Sequence, residues 1–494
     1  MANPLKKLAG QTAIYGTSTI VARLINYALV PIHTYLFNTE QYGVVGEMYA
    51  YAALLIVMLT YGMETAFFRF YDNKAADKEK VYGTTIISLL VTSSLFLIFM
   101  LIMAHPIASL IKYPDHSEYI IWFSLIIVFD AVSTVPFARL RALNRPKMFA
   151  FFKIFSIAVC LLLNILFLYV FPYFYEKHIL YDVISFIYDP AVGVGYIFIA
   201  NLISTGTTVL LLFIVLPHKK LRFDATVWKR MLKYALPLLI FGLAGNINET
   251  FDRILLKYLS PADIALSQVG IYSACYKLSI LMTIAIQGFK YAAEPFFFSY
   301  SKEADAKDIY ADVMKYFVII CLMIFLGVMF YMDILKYFIG TKYHEGLGVV
   351  PVLLLANMFL GIFYNLSVWY KLTDKTRFGA YLSIFGAAVT LVMNFLLIPV
   401  IGYMGSAWAT FTCYCSMMVL SYIIGQKHYY VKYNLKKIFG YLGLALLLYM
   451  VSWLIKDIPL SIKLSINTMM LILYIFVIIY FERPSLLKKI KIRK

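Results

Sequence analysis

Two arginines in this chain sit where arginines rarely sit. Arg23 lies inside the apolar run Ala13–Pro31, about sixteen residues past Lys7. At 1.5 Å per residue that is roughly 24 Å of helix, well into a hydrocarbon layer about 30 Å thick. A guanidinium at that depth costs a few kcal/mol, so it belongs against a protein interior or a wet cavity. The pattern returns 230 positions on, where Arg23 falls on Arg253, Leu29 on Leu259 and Pro31 on Pro261. Such a pair could receive an anionic phosphate, because the guanidinium fork donates two parallel hydrogen bonds and keeps its charge at any relevant pH. The twins differ in one respect. Arg23 has Thr19 and Tyr27 a turn away and no carboxylate within reach on its own helix. Arg253 has Glu249 four residues before it, on the same face and in the favourable order for a local ion pair. A purely structural pairing with carboxylates is the competing reading for both.

Carboxylates form the second group. Glu64 and Glu294 occupy corresponding positions near the ends of the second and eighth apolar segments. Each is either a snorkelling side chain partnered by Arg69 or Lys290, or a gating or protonation site. Asp130 lies deeper, among Phe129, Ala131 and Val132, and is a further candidate for ion coupling. Glu47 and Lys277 fall in the outer halves of their segments, where long stems reach water. Asn164 and Asn394 read as interhelical hydrogen-bonding glue. Pro136, Pro237, Pro295, Pro351 and Pro399 mark helix starts or kinks.

The elements that must position these groups follow from composition. The chain is 62% hydrophobic and 14% charged over 494 residues, far from the balance of a soluble protein. About fourteen spanning segments are expected, near 10–36, 43–68, 83–104, 119–142, 149–171, 193–216, 234–259, 269–298, 311–332, 348–371, 378–400, 403–426, 437–455 and 464–481. The first is too long and too polar for a cleaved leader and reads as the first membrane helix. The formal charge of +18 resides in short loops on alternate sides of the segments. Lys74, Lys78 and Lys80, then Arg139 to Lys147, Lys219 to Arg230, Lys302 and Lys307, Lys371 to Arg377, Lys427 to Lys437 and the tail all fall on one side. That asymmetry predicts an even number of spans with both termini in the cytoplasm, and it removes nucleic acid as a partner.

The duplication runs well past the arginines. Ala150, Ile154, Phe155, Ala158, Val159 and Asn164 match Ala380, Ile384, Phe385, Ala388, Val389 and Asn394 at the same shift of 230. The expected fold is therefore an all-α polytopic membrane protein with two parallel six-helix repeats and two added helices. The halves are 1–230 and 231–430, with 431–494 carrying the extra helices and a basic tail. No loop is long enough for a soluble domain. The five cysteines read as small buried hydrophobes, the histidines form no metal-spaced set, and no Gly-rich loop ends in Lys-Ser/Thr. No cofactor, no metal and no catalysis is expected.

The stretches Glu40-Gln41-Tyr42-Gly43-Val44 and Gly62-Met63-Glu64-Thr65-Ala66-Phe67-Phe68-Arg69-Phe70, with the arginine-bearing opening helix, resemble the polysaccharide-biosynthesis flippases. These are lipid-linked oligosaccharide flippases of the multidrug/oligosaccharidyl-lipid/polysaccharide exporter superfamily, and the resemblance spans nearly the whole chain. It implies transfer of undecaprenyl-pyrophosphate-linked repeat units across the bacterial inner membrane by alternating access, for O-antigen, capsule or exopolysaccharide. It implies a cationic cavity between the halves and a lipid-tail groove lined by the last two helices. Implied partners are the lipid-linked oligosaccharide, membrane lipids, H+ or Na+ as coupling ion, and polysaccharide polymerase machinery. Two alternatives stand beside it: a cation-coupled multidrug exporter of the same superfamily, disfavoured by the arginine pair, and a membrane-embedded polymerase or ligase, disfavoured by the short outer loops.

Overall fold

The computed structural model describes residues 16, 20–72, 77–216, 221–301, 303–373 and 375–492, the side chains of 291, 292, 294, 295, 299 and 483–492 excepted. Among these residues every regular element is helical. Packing divides the chain into two compact units, Met1–Lys257 and Tyr258–Lys494.

Unit 1 holds α1 (Ile20–Leu36), α2 (Thr39–Tyr71), α3 (Lys78–Ile102), α4 (Ser117–Ala142), α5 (Pro146–Glu176), α6 (Gly195–Val215) and α7 (Ala225–Leu259). Unit 2 holds α8 (Ala265–Leu278 and Ile280–Lys290, bent by 53°), α9 (Ala306–Phe330), α10 (Thr341–Leu372), α11 (Arg377–Ile401), α12 (Tyr403–His428), α13 (Leu435–Leu454) and α14 (Leu460–Glu482). Among the described residues, twelve of these helices are long and apolar enough to cross a membrane, thirteen if bent α8 counts as one span. The shorter α1 stands where the first segment is expected, and with it the set reaches the fourteen read from the sequence. Most of the expected first segment before residue 20 lies outside the described residues.

Local chemistry explains how α7 comes to pack with the first unit. The Asp224 carboxylate accepts from the backbone of Thr226 at 2.9 Å and Val227 at 3.1 Å, capping the start of α7. One turn on, the Trp228 indole donates to Ser88 Oγ at 2.8 Å, the hydroxyl that also meets Tyr61 Oη at 2.7 Å. Tyr61 and Gly62 break α2 with positive φ of 33° and 72°. A Cβ at Gly62 would stand 2.9 Å from the Ala235 carbonyl oxygen, so glycine serves both the left-handed turn and the close approach of α7. Around this crossing Met63, Phe67, Tyr82, Ile86, Val135, Met231 and Ala235 form a shared core. The duplicated sequence places the end of the first half at residue 230; these contacts carry α7 along with unit 1 as far as Lys257.

Unit 2 is organised on α10, α11 and α12 through Ala356, Trp369, Leu382, Tyr414 and Met417. The added helix α14 is fastened along α9. Asn467 Nδ2 donates to the Phe330 carbonyl at 2.8 Å, Tyr331 and Thr468 share a hydroxyl bond of 2.8 Å, and Lys463 meets Asp333 at 2.6 Å. Two segments depart from expectation. The fifth runs on to Glu176 through a π-helical turn at Leu166–Val170, and the long loop after it carries a short helix, Tyr181–Ile187.

Candidate functional site

The seventh helix carries a polar stretch within an otherwise apolar chain: Asn246, Asn248, Glu249, Thr250, Asp252 and Arg253 within eight residues. Arg253 Nη1 meets the Asp252 carboxylate at 3.2 Å and donates to the Glu249 backbone carbonyl at 2.9 Å. Asp252 is almost sealed, with 3% of its side chain exposed against 13% for Arg253, and it also accepts the Arg253 backbone N–H at 2.8 Å. Arg253 therefore has an acidic neighbour one residue away that periodicity alone does not suggest. Glu249 lies exposed on the same helix. On α1, Arg23 is exposed, and among the described residues no carboxylate pairs with it. The two arginines share depth and register in sequence but not their electrostatic surroundings.

Glu64 pairs with Arg141 near the end of α4, and the Arg141 guanidinium also lies 4.8 Å from the Phe68 ring centroid. Arg69, the partner expected for Glu64, is not the one found. Arg69 stacks over Tyr234 at 4.3 Å instead, because five residues of helix turn it away from Glu64's face. The Glu294 side chain lies outside the described residues. Asp130 is half-buried on α4, its carbonyl taking the hydroxyls of Ser133 at 2.8 Å and Thr134 at 3.0 Å. Its electrostatic neighbour is Lys153 of α5, a lysine the sequence reading passed over, whose Nζ sits 4.2 Å from the Phe137 centroid. Nearby, Asn201 of α6 donates to Tyr49 of α2 at 2.8 Å. Asn164 ties helices together by accepting from His33 of α1 at 2.8 Å, while its repeat partner Asn394 donates to its own helix at the Thr390 carbonyl, 2.7 Å away.

Glu47 is the clearest correction. Its stem does not reach water. The residue is 0% exposed and receives Tyr113 Oη at 2.6 Å and Lys257 Nζ at 2.8 Å. Lys257 in turn donates to the Ile111 carbonyl at 2.6 Å. A lysine four residues past Arg253, in the apolar run Ile254–Leu259, was the available signal.

Within unit 2 an apolar cleft of about 170 Å³ opens between α9, α10, α12 and α13, walled by Val318, Met358, Ile362, Met418, Ile438 and Leu442 among others. An alkyl or isoprenoid chain would meet nothing polar there.

Among the described residues, twelve helices long and apolar enough to cross a membrane, thirteen with bent α8, define a multi-pass membrane protein. Its fold is that of the transporters and flippases of the MOP superfamily. The structure superposes on the lipid II flippase MurJ in an inward closed conformation at TM-score 0.70, with 13% identity, covering 96% of this chain and 100% of that one. It superposes on an inward-facing multidrug resistance MATE family transporter of the MOP superfamily at 0.62, with 13% identity and coverage of 83% and 94%. The MATE multidrug transporter DinF-BH gives 0.59, at 15% identity and 87% and 98% coverage. In sequence, residues 8–301 match the polysaccharide biosynthesis protein family, and the chain belongs to that family. Among curated proteins no relative matches.

Proposed function

We propose that this chain is a flippase that moves undecaprenyl-pyrophosphate-linked oligosaccharide from the cytoplasmic to the outer leaflet of the bacterial inner membrane, supplying O-antigen, capsule or exopolysaccharide synthesis. The observation that carries the proposal is Arg23: an exposed guanidinium at membrane depth, without a carboxylate among the described residues, in a member of the polysaccharide biosynthesis family. A pyrophosphate bearing sugars cannot cross hydrocarbon unaided, since each unpaired polar group costs several kcal/mol and a charge far more. A guanidinium replaces part of the lost hydration, while the lipid tail remains in an apolar cleft such as that beside α13. Arg253, held by Asp252, would join Arg23 when an anion competes for it. The sequence halves 1–230 and 231–430 would alternate in access, with both termini cytoplasmic.

Outward movement of an anion is downhill by about 2.3 kcal/mol per charge per 100 mV when the cytoplasm is negative. Transport therefore needs no ATP. Asp130, beside Lys153, and the Glu64–Arg141 pair are the proposed sites at which H+ or Na+ would be coupled, with Glu249 and Glu294 as gating carboxylates. Hand-over to polymerase machinery would follow on the outer face.

Replacing Arg23 by Ala is expected to abolish surface polysaccharide in a complemented deletion strain while the protein still inserts, with lipid-linked repeat units held on the inner leaflet. Normal surface polymer in that variant sinks the arginine's role. Unpolymerised units accumulating on the outer face of the deletion strain would instead indicate a polymerase or ligase, and restored drug efflux in a sensitised host would indicate the exporter.

A further inference from the structure

The loop between α5 and α6 carries an apolar face that its own unit leaves uncovered. Helix α5 is 31 residues long, roughly 46 Å at 1.5 Å per residue, which matches the roughly 40–45 Å of a bilayer with its headgroups. Its last turn therefore stands at headgroup level. There His178 and Leu180 adopt left-handed φ of 52° and 50°, and the Ile179 N–H donates back to the Phe174 carbonyl at 2.9 Å. The short helix Tyr181–Ile187 follows. Rings hold it beside the two spans: Tyr181 lies 5.3 Å from Tyr175, Tyr175 lies 5.9 Å from Tyr188, and Tyr188 stacks on Tyr196 of α6 at 5.1 Å. The Asp189 N–H donates to the Tyr196 hydroxyl at 2.6 Å, which fixes the far end of the short helix to α6. At 3.6 residues per turn, Val183, Phe186 and Ile187 share an arc of about 100° on this helix. All three are exposed, Phe186 at 91%, while Ile184 turns inward at 5%. Leu180, also exposed, extends the patch from the turn.

We propose that this face is an interfacial membrane anchor, seated in the boundary between headgroups and acyl chains of the leaflet at that end of α5. Two observations favour lipid over a protein partner. The exposed residues Leu162, Ile165, Tyr169 and Tyr173 precede the patch along α5, with no charged residue between Leu162 and Tyr175. The chain thus enters the patch from a lipid-facing stretch of the same span. Tyrosines also gather at this level, Tyr169, Tyr173, Tyr175, Tyr181 and Tyr188, as in an interfacial belt. Apolar burial rather than charge holds the helix in place. It carries no lysine or arginine, and its loop sets Glu176, Asp182 and Asp189 against Lys177, so anionic lipid adds no attraction. Seated so, the anchor pins the ends of α5 and α6 at one depth in the bilayer, whatever substrate the chain carries.

The test uses the full chain, its five native cysteines replaced by alanine, in nanodiscs of phosphatidylcholine alone or mixed equally with phosphatidylglycerol. A nitroxide is attached to Phe186→Cys or, across the helix, to Ser185→Cys, and its collisions with oxygen and with a water-soluble nickel chelate are measured. At position 186 oxygen should prevail, in both lipids alike; at position 185 the chelate should. Chelate prevailing at 186 places the face in water and overturns the anchor. Oxygen prevailing there only with phosphatidylglycerol overturns its apolar basis. With Val183→Asp/Ile187→Asp added, the 186 label should swing to water, while a label at Tyr173→Cys stays in lipid and shows that α5 still spans. A 186 label that keeps to lipid despite two added carboxylates overturns the role of the arc. In native membranes, a 186 label immobile and shut off from both reagents would assign the face to a protein partner instead of the bilayer.

Discussion

Glu47 in unit 1 and Glu482 in unit 2 are both enclosed by helices, at 0% and 1% exposure, yet they are neutralised in different ways. Among the described residues Glu47 meets one cation, Lys257 at 2.8 Å, whose side chain is itself 4% exposed. That ammonium also lies 3.8 Å from the Tyr113 centroid, and Tyr113 donates its hydroxyl to the same carboxylate. Among the described residues Glu482 meets two cations, Lys315 at 2.6 Å and Lys437 at 2.7 Å, plus the Tyr441 hydroxyl at 2.8 Å. Lys315 has a second acid in Asp312 at 3.2 Å, and the Lys437 side chain is 33% exposed. The first arrangement is one charge against one, sealed. The second is a redundant network with one member in contact with solvent. Their positions match this difference. Lys257 is the last residue of unit 1 and clamps the end of α7 to α2 and to the loop after α3. The Glu482 network joins the two added helices, α13 and α14, to α9, and no single bond carries the attachment.

The contrast predicts unequal costs of breaking each network. Lys257→Met strands a sealed carboxylate and should destabilise the folded protein by about 3–5 kcal/mol, the cost of an uncompensated buried charge. Thermal unfolding of the purified protein in detergent would show it as the largest drop among these variants. Glu47→Leu combined with Lys257→Met should recover most of the loss, because removing both charges also removes their desolvation cost. Equal losses in the single and double variants would contradict the view of a one-to-one pair. Lys437→Met leaves Lys315 on Glu482 and should cost only about 1 kcal/mol, the range of a partly exposed pair. A loss matching that of Lys257→Met would erase the distinction between the two networks.

The sequence made the helices legible because apolar runs long enough to span a bilayer have few alternatives, and α2 to α14 fall close to the segments expected. Arg23 and Arg253 were visible for the same reason, as charges in the wrong solvent. Partners were not. Glu47 and Lys257 are 210 residues apart, and nothing short of the α2–α7 contact joins them. Side chains that look able to snorkel, as Glu47 does, are sealed when a neighbouring helix brings its own ammonium. Glu64 shows the limit at closer range. The basic residue nearest in sequence, Arg69, lies off the i+3 and i+4 face, while Arg141 arrives from α4. The break of α8 at Ser279 was equally hidden, since no proline or glycine stands there.

The smallest effect is expected where a charge pair remains in water. Asp224 and Lys80 stand 3.5 Å apart with side chains 26% and 43% exposed, so their mutual attraction is largely screened. What marks Asp224 is its cap. The N–H of Val227 foremost, with partial desolvation working against it, then the N–H of Thr226 and the Lys80 ammonium, hold its carboxyl below the usual aspartate range. A carboxyl depressed by folding contributes stability that is fully present above its unfolded pKa, about 3.9, and is lost as pH falls through its folded value. Unfolding temperature should therefore decline on acidification below about pH 4 in part through this residue. Asp224→Asn keeps a capping oxygen and should flatten that part of the decline. Lys80→Ala should leave the pH profile nearly unchanged, because the backbone donors rather than the ammonium lead the depression. If Lys80→Ala flattened the profile as much as Asp224→Asn, the solvated pair would be acting like the sealed one at Glu47, and exposure would no longer explain why the two differ.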